Sequence, residues 1–314
     1  MLKTIVFFVI IALMRVLQKF CSKQVSNEAT GNTMFHYGGY YQLLAALFSL
    51  ITLVIVGFYG FDFLTVVCAL ATALCIAVEL FASIIALRGC TLVVSQMISV
   101  GALVIPCIYG ALFLNEPMSV WDWVGLAIFF GSIYFLVAPP KTAKKREKGD
   151  KISIKTIVAL AICFLAGGFT MVFQKVFAIR VPNGNEAMYS FLMFAMNAVI
   201  LYVAYIVAAI VNKQRSKNRA QISPETEKRK TFEPLSKNLL ICGALLALAL
   251  FAVNLLVTSL AKTVPSAILF TVSYAISIFI TILVSTLFYK EKLTWLNVVG
   301  IVLGLGSIIV INVL

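Results

Sequence analysis

Long apolar runs separated by short polar breaks dominate the chain. A helix that crosses a bilayer needs about 20 apolar residues. Cutting the sequence at its polar breaks yields runs at roughly 4–24, 34–57, 63–87, 91–114, 120–138, 153–178, 187–211, 238–261, 264–288 and 295–313. The pattern predicts an all-α polytopic membrane protein with ten transmembrane helices. The opening run has the length of a signal peptide, but Arg15 and Lys19 interrupt it and no A-x-A cleavage site follows, so it is read as the first helix.

The same pattern repeats. LFLNEPMSVWDWVGLAIFFGSI, from Leu112 to Ile133, returns as LFYKEKLTWLNVVGIVLGLGSI, from Leu287 to Ile308, at a constant offset of 175 without a gap. Carried upstream, that offset pairs Glu79 with Asn254 and Ser83 with Thr258. Near the other end of each copy, Leu17-Gln18-Lys19 recurs as Phe173-Gln174-Lys175. The expected organisation is a first five-helix repeat over 1–138, a basic loop over 139–152 and a second repeat over 153–314 that contains a flexible basic loop at 212–237. Five is odd, so the second repeat must enter the membrane inverted relative to the first. Inverted repeats of this kind place a substrate site near the bilayer midplane in secondary transporters.

Composition agrees with the pattern. The chain is 62% hydrophobic and only 12% charged, against about a quarter charged in soluble domains, and its mean hydropathy is +1.04. Its net charge of +13 does not read as a nucleic-acid footprint, because the basic residues cluster in short loops beside apolar runs. Lys141, Lys144, Lys145, Arg146, Lys148 and Lys151 occupy one loop, and Lys213, Arg215, Lys217, Arg219, Lys228, Arg229, Lys230 and Lys237 another. Lys and Arg are retained on the cytoplasmic side. Both loops are therefore expected in the cytoplasm, with the termini outside and the protein in the plasma membrane. The seven cysteines include no C-x-x-C pair. No metal-ligand spacing, phosphate loop or nucleophile with a base is visible, so neither catalysis nor a cofactor is expected.

Ionisable groups inside spans carry the functional information, since each costs a few kcal/mol near the bilayer centre and turns to the bundle interior or to water. Glu79 lies roughly 6 Å from the centre of its run at 1.5 Å per residue. With Thr72, Cys75 and Ser83 it forms a polar or small stripe on one helix face, and Asn254 with Thr258 repeats the stripe in the second half. Glu79 either exchanges a proton or binds a cationic group, or it forms a structural ion pair with Arg15. Arg15, Gln18 and Lys19 project to one side of the first helix. Lys19 and Lys175 are close enough to helix ends to snorkel. The surplus of cations favours a substrate with a carboxylate or phosphate. Gln96, Asn197 and Tyr274 are further ligand candidates, as are Gln174, Lys175 and Asn254 by the repeat.

Pro106 is expected to kink its helix by freeing the Ala102 carbonyl. Ser119-x-x-Asp122 reads as a capping box, and Trp121, Trp123 and Trp295 as interfacial anchors. Gly300-x-x-x-Gly304 serves either a homodimer or, as a ten-helix bundle favours, an internal contact.

The repeated stretches resemble the EamA-like branch of the drug/metabolite transporter superfamily. The resemblance rests on Asn115-Glu116-Pro117-Met118-Ser119 with Gly125 and Gly131, on Lys290-Glu291-Lys292-Leu293-Thr294 with Gly300 and Gly306, and on Ala86-Leu87-Arg88 before the fourth run. It implies ten helices, a central cavity and alternating access for a small metabolite, with the lipid bilayer and the substrate as the expected partners. The expected function is secondary transport of a small polar metabolite such as an amino acid or organic anion, with proton coupling through Glu79. A nucleotide-sugar or sugar-phosphate exchanger is the alternative, although helix 9 reads Ser273-Tyr274-Ala275-Ile276-Ser277 and lacks the motif of some nucleotide-sugar carriers. A membrane-embedded enzyme or lipid-handling protein is the alternative of another class.

Overall fold

A computed structural model describes residues 2–25, 28, 31–89, 98–99, 101–114, 118–137, 154–220, 235–288 and 295–313. Within them the chain forms ten α-helices: α1 Leu2–Val25, α2 Asn32–Val56, α3 Phe63–Gly89, α4 Val104–Phe113, α5 Val120–Val137, α6 Ile154–Arg180, α7 Glu186–Ala220, α8 Lys237–Ala261, α9 Ser266–Phe288 and α10 Trp295–Val313. Six stretches among the described residues are long and apolar enough to cross a membrane: Thr4–Val25, Asn32–Val56, Phe63–Ala86, Ile154–Arg180, Glu186–Val211 and Lys237–Ala261. Val104–Phe113, Val120–Ser132 and Ile268–Ile280 are shorter apolar helices.

These helices are polar on the inside. On α7, Val199, Val203, Ile206 and Ile210 follow helical spacing on the outer face and are each more than half exposed, while Ser190 and Asn197 are wholly buried. That is the reverse of a soluble helix, and it suits a solvent as apolar as leucine.

The helices pack most extensively in the pairs α2 with α7, α3 with α6, α5 with α10 and α1 with α8, followed by α3 with α7, α2 with α8, α1 with α9 and α4 with α6. Exchanging each helix with the one five places along maps this set of pairs onto itself. Close approach between α2 and α7 rests on small residues. A side chain at Gly38 would press on Leu201, and one at Gly39 would stand 2.9 Å from the Tyr202 ring. At the α5–α10 contact, a Cβ at Gly304 would lie 3.3 Å from Ser132 Oγ, so this end of the Gly-x-x-x-Gly stretch faces a helix of the same chain.

Several local expectations meet their structural outcome. Ser119 and Asp122 form the reciprocal capping box: the Ser119 amide donates to Asp122 Oδ2 at 2.7 Å and the Asp122 amide to Ser119 Oγ at 3.2 Å. At Pro106 the expected kink is a break. Residues 102–103 form a turn, α4 starts at Val104 with Pro106 in its first turn, and the Ala102 carbonyl accepts from the Ile105 amide at 3.1 Å. The 212–237 segment departs from a wholly flexible loop, since α7 continues through Ala220. Its Lys, Gln, Arg and Ala residues are good helix formers that need no apolar surroundings. Residues 139–152 and 221–234, with Glu116 and Glu291 of the repeated motif, lie outside the described residues.

Two contacts tie the halves together at opposite ends. Between α1 and α2, Glu28 accepts from Ser236 Oγ at 2.8 Å and from Asn238 Nδ2 at 2.7 Å, and Ser236 itself caps α8 by accepting from the Leu239 amide. At the other end, Asn185 Nδ2 donates to the Gly57 carbonyl at 2.8 Å. There Gly57 has φ +93 and ψ 161, and Gly60 has φ +61 at a place where a Cβ would fall on the Asn183 carbonyl.

Gly57→Ala should lower stability by about 1–3 kcal/mol, the range for a conformation nearly confined to glycine. Gly60→Ala should cost more, because its Cβ would overlap the Asn183 carbonyl whereas the space at Gly57 is open. Thermal melts of the two variants in detergent check the order. The hydrogen bonds from Ser236, and then from Asn238, hold the Glu28 carboxyl below its usual range. A depressed folded value means that the contribution is present above the unfolded value and is lost as pH falls through the folded one. Glu28→Gln should therefore flatten the loss of melting temperature between about pH 5 and pH 3, compared with the unsubstituted protein.

Candidate substrate cavity

The polar stripes of α1, α3, α6 and α8 converge on one internal cavity of about 180 Å³, enough for on the order of ten water molecules. It lies where two apolar clusters meet: Met171, Val253 and Tyr274 belong to one, Tyr41 and Leu246 to the other, and all five line its wall. Of the residues singled out in the sequence, Arg15, Gln18, Lys19, Glu79, Gln174, Asn254 and Tyr274 are brought together here. Lys175 and Asn197 are not among its lining residues, and Gln96 lies outside the described residues.

Glycine makes the space. The Glu79 carboxylate lies over Gly167 of α6, where a Cβ would stand 3.5 Å from Oε1. One residue on, Gly168 backs against the break before α4, and a Cβ there would come within 2.8 Å of Ile105 Cβ and 3.0 Å of the Ala102 carbonyl. Two adjacent glycines thus let α6 approach both α3 and the Pro106 break. The Cys163 thiol makes a long 3.9 Å contact to the Glu79 carbonyl from the same face.

The charges are arranged unevenly. Lys19, Arg15 and Glu79 all line the cavity. Lys19 Nζ also donates to Ser99 Oγ at 2.9 Å, which fixes α1 to the residues before α4. The Arg15 guanidinium lies over the Tyr274 ring of α9, with its carbon 3.9 Å from the ring centroid. That stacking leaves the edge of the guanidinium free for other partners. Arg15 thus stands over an aromatic face, and Glu79 shares the cavity with two cations.

The duplicated positions have diverged. In the second half, Gln174 Nε2 donates to Thr258 Oγ1 at 2.7 Å, to the Asn254 carbonyl at 3.2 Å and to Asn254 Oδ1 at 3.4 Å, while Asn254 Nδ2 donates to the Leu250 carbonyl at 2.9 Å. Lys175 does not snorkel to water. It is 3% exposed and donates to the Ala261 and Val264 carbonyls at 3.0 and 2.8 Å, closing the end of α8. In the first half, Gln18 Nε2 is buried without a hydrogen-bond partner in the protein. Arg15 Nε, Thr170 Oγ1 and both amide atoms of Gln42 share that condition, and all four residues line the cavity.

Gln42, Tyr41 and Thr170 were not found from the sequence. Gln42 sits at the position of an inward-facing stripe, Gly38, Gln42, Ala45, Ser49 and Leu53, which is buried throughout. A polar residue on the buried stripe of an apolar helix was the available signal. Thr170 offered none, since one hydroxyl in a span is ordinary.

Fold and cavity together define a helical membrane protein with a polar internal site built from both of its halves. The chain belongs to the EamA-like transporter family, whose model matches residues 153–313. A solved crystal structure of a protein 12% identical in sequence superposes with a TM-score of 0.66 over 97% of this chain and 95% of that one, which shows a shared fold. No curated protein matches the chain.

Lys175→Ala should lower stability by about 1.5–3 kcal/mol through the loss of two charge-assisted hydrogen bonds in a buried place. It should leave the cavity's ligand affinity unchanged. A melt with and without ligand separates the two effects.

Proposed function

We propose that the protein is a secondary active transporter that moves a small polar metabolite across the plasma membrane by alternating access, with ten spans in two inverted five-helix repeats. The observation that carries this reading is the cavity itself. It is walled by α1, α2 and α3 of one half and α6, α8 and α9 of the other, and it holds buried polar atoms that the protein does not satisfy. An enzyme or a purely structural core has no use for such a place at the contact of two duplicated halves. The exchange symmetry of the helix pairs supports the repeat, and the odd number of helices in each half requires the inversion. Membership of a transporter family supports the activity.

Alternating access then follows from the contacts at the two ends. Glu28 with Ser236 and Asn238, and Asn185 with Gly57, each join one half to the other. Rocking of the halves about the cavity would break one set while keeping the other. The loop at 212–237 lies by its charge in the cytoplasm, which puts the Glu28 contact on that side. Glu79, buried against Gly167 and facing Lys19, is the group that exchanges a proton in each cycle.

Purified protein in liposomes should show saturable uptake that is accelerated by unlabelled substrate on the opposite side, and uptake should respond to an imposed pH gradient. Glu79→Gln should keep exchange but lose the response to the gradient. Unchanged pH dependence in that variant would remove the proton role, and non-saturable flux without exchange would replace the transporter with a channel.

A further inference from the structure

We propose that the cavity selects a small monoanion, a carboxylate on a compact apolar body, and that the anion is held chiefly by Arg15, Gln18 and Gln42 of the first half with Thr170 of the second. The inference rests on reading the cavity as a substrate site and names what that site takes. Three observations converge on it.

The first is the charge. With Glu79 in its ionised state, Arg15 and Lys19 contribute two positive charges and Glu79 one negative, so the lining then carries a net charge of +1. A carboxylate brings it to zero. A phosphate monoester, with a charge of about −1.5 to −2 near neutrality, would leave an excess of negative charge away from water. A cation or a neutral molecule would leave the surplus uncompensated.

The second is the character of the unsatisfied atoms. Arg15 Nε and Gln18 Nε2 are donors only, Thr170 Oγ1 donates or accepts, and Gln42 offers its amide nitrogen and oxygen. A donor-rich set asks for an acceptor. The Arg15 guanidinium lies over the Tyr274 ring, and its Nε is buried without a partner in the protein. Guanidinium geometry matches a planar carboxylate.

The third is the duplication, which acts as an internal control. Gln174, Asn254 and Lys175 have the repeat positions of Gln18, Glu79 and Lys19. In the second half Gln174 is bound to Asn254 and Thr258, and Lys175 is bound to the end of α8. The corresponding Gln18 amide nitrogen remains without a protein partner. The glutamine of the second half is bound within the protein, and the one at the matching place in the first half is left for a ligand. The remaining wall, with Ile76, Leu80, Met171, Leu246, Leu250 and Val253, suits a branched aliphatic body.

The test is the melting temperature of the full-length protein in detergent with isovalerate, isovaleramide, isoamylamine, leucine and isobutyl phosphate, which share one apolar body and differ in charge. Isovalerate should raise the melt by about 2 °C or more at saturation, and the others should do so less or not at all. Arg15→Gln should weaken the isovalerate effect by about tenfold or more in concentration. Thr170→Val and Gln42→Leu should each weaken it, which keeps the test available if the arginine variant does not fold, and Lys175→Ala should not. An equal response to the amide, amine, zwitterion or phosphate overturns the proposal, as does no response to isovalerate. Binding of isovalerate without any flux in liposomes would instead remove the transporter reading and keep the anion site. Transport of a neutral or cationic compound would do the reverse.

Discussion

Every polar group placed between the apolar surfaces of these helices must find its partner inside the protein, because the surroundings offer none. That constraint organises the structure from the helix ends to the cavity. On α7 valine and isoleucine stay outside, while Ser190 and Asn197 turn inward. Lys175, in a helix end too crowded to reach water, spends its donors on the last carbonyls of α8. At Pro106, the missing donor is absorbed by ending one helical segment and starting another, with the Ala102 carbonyl re-satisfied in the turn.

Set against that constraint, the cavity is one place where the demand is not met. Polar atoms of Arg15, Gln18, Gln42 and Thr170 are withdrawn from solvent yet unanswered by protein. Groups of that kind are costly in an apolar setting, and these four residues share one space. That space lies at the junction of two apolar clusters. Each cluster takes side chains from both halves, and the cavity is lined by members of both. Small residues at Gly167 and Gly168 keep α6 close to its neighbours there.

Duplication gives the molecule its plan and divergence gives it its asymmetry. Helices at matching places in the two copies of the sequence repeat pack in matching pairs. Their polar positions have not kept the same chemistry. Replacing a carboxylate at position 79 by an amide at 254 removes the charge from the second half, and the neutral trio of Gln174, Asn254 and Thr258 then closes on itself. A charged residue in that place would have needed a counter-ion, which the first half supplies in Lys19 and Arg15.

The periodicity and length of the apolar runs determined the helices, and the offset of 175 determined their grouping, because both depend only on spacing along the chain. The capping box at Ser119 and Asp122 was legible for the same reason: its partners are three residues apart. Glu79, Arg15, Gln18 and Lys19 could be picked out because ionisable groups are rare in such runs. Whether they meet was a matter for the tertiary structure. Placing Tyr274 under Arg15, setting Lys19 before Glu79 and turning Lys175 away from the cavity all depend on the rotation and depth of packed helices. Rotation and depth are set by contacts such as Gly167 with Glu79 and Gly38 with Leu201, between residues more than 80 positions apart, which no local pattern encodes.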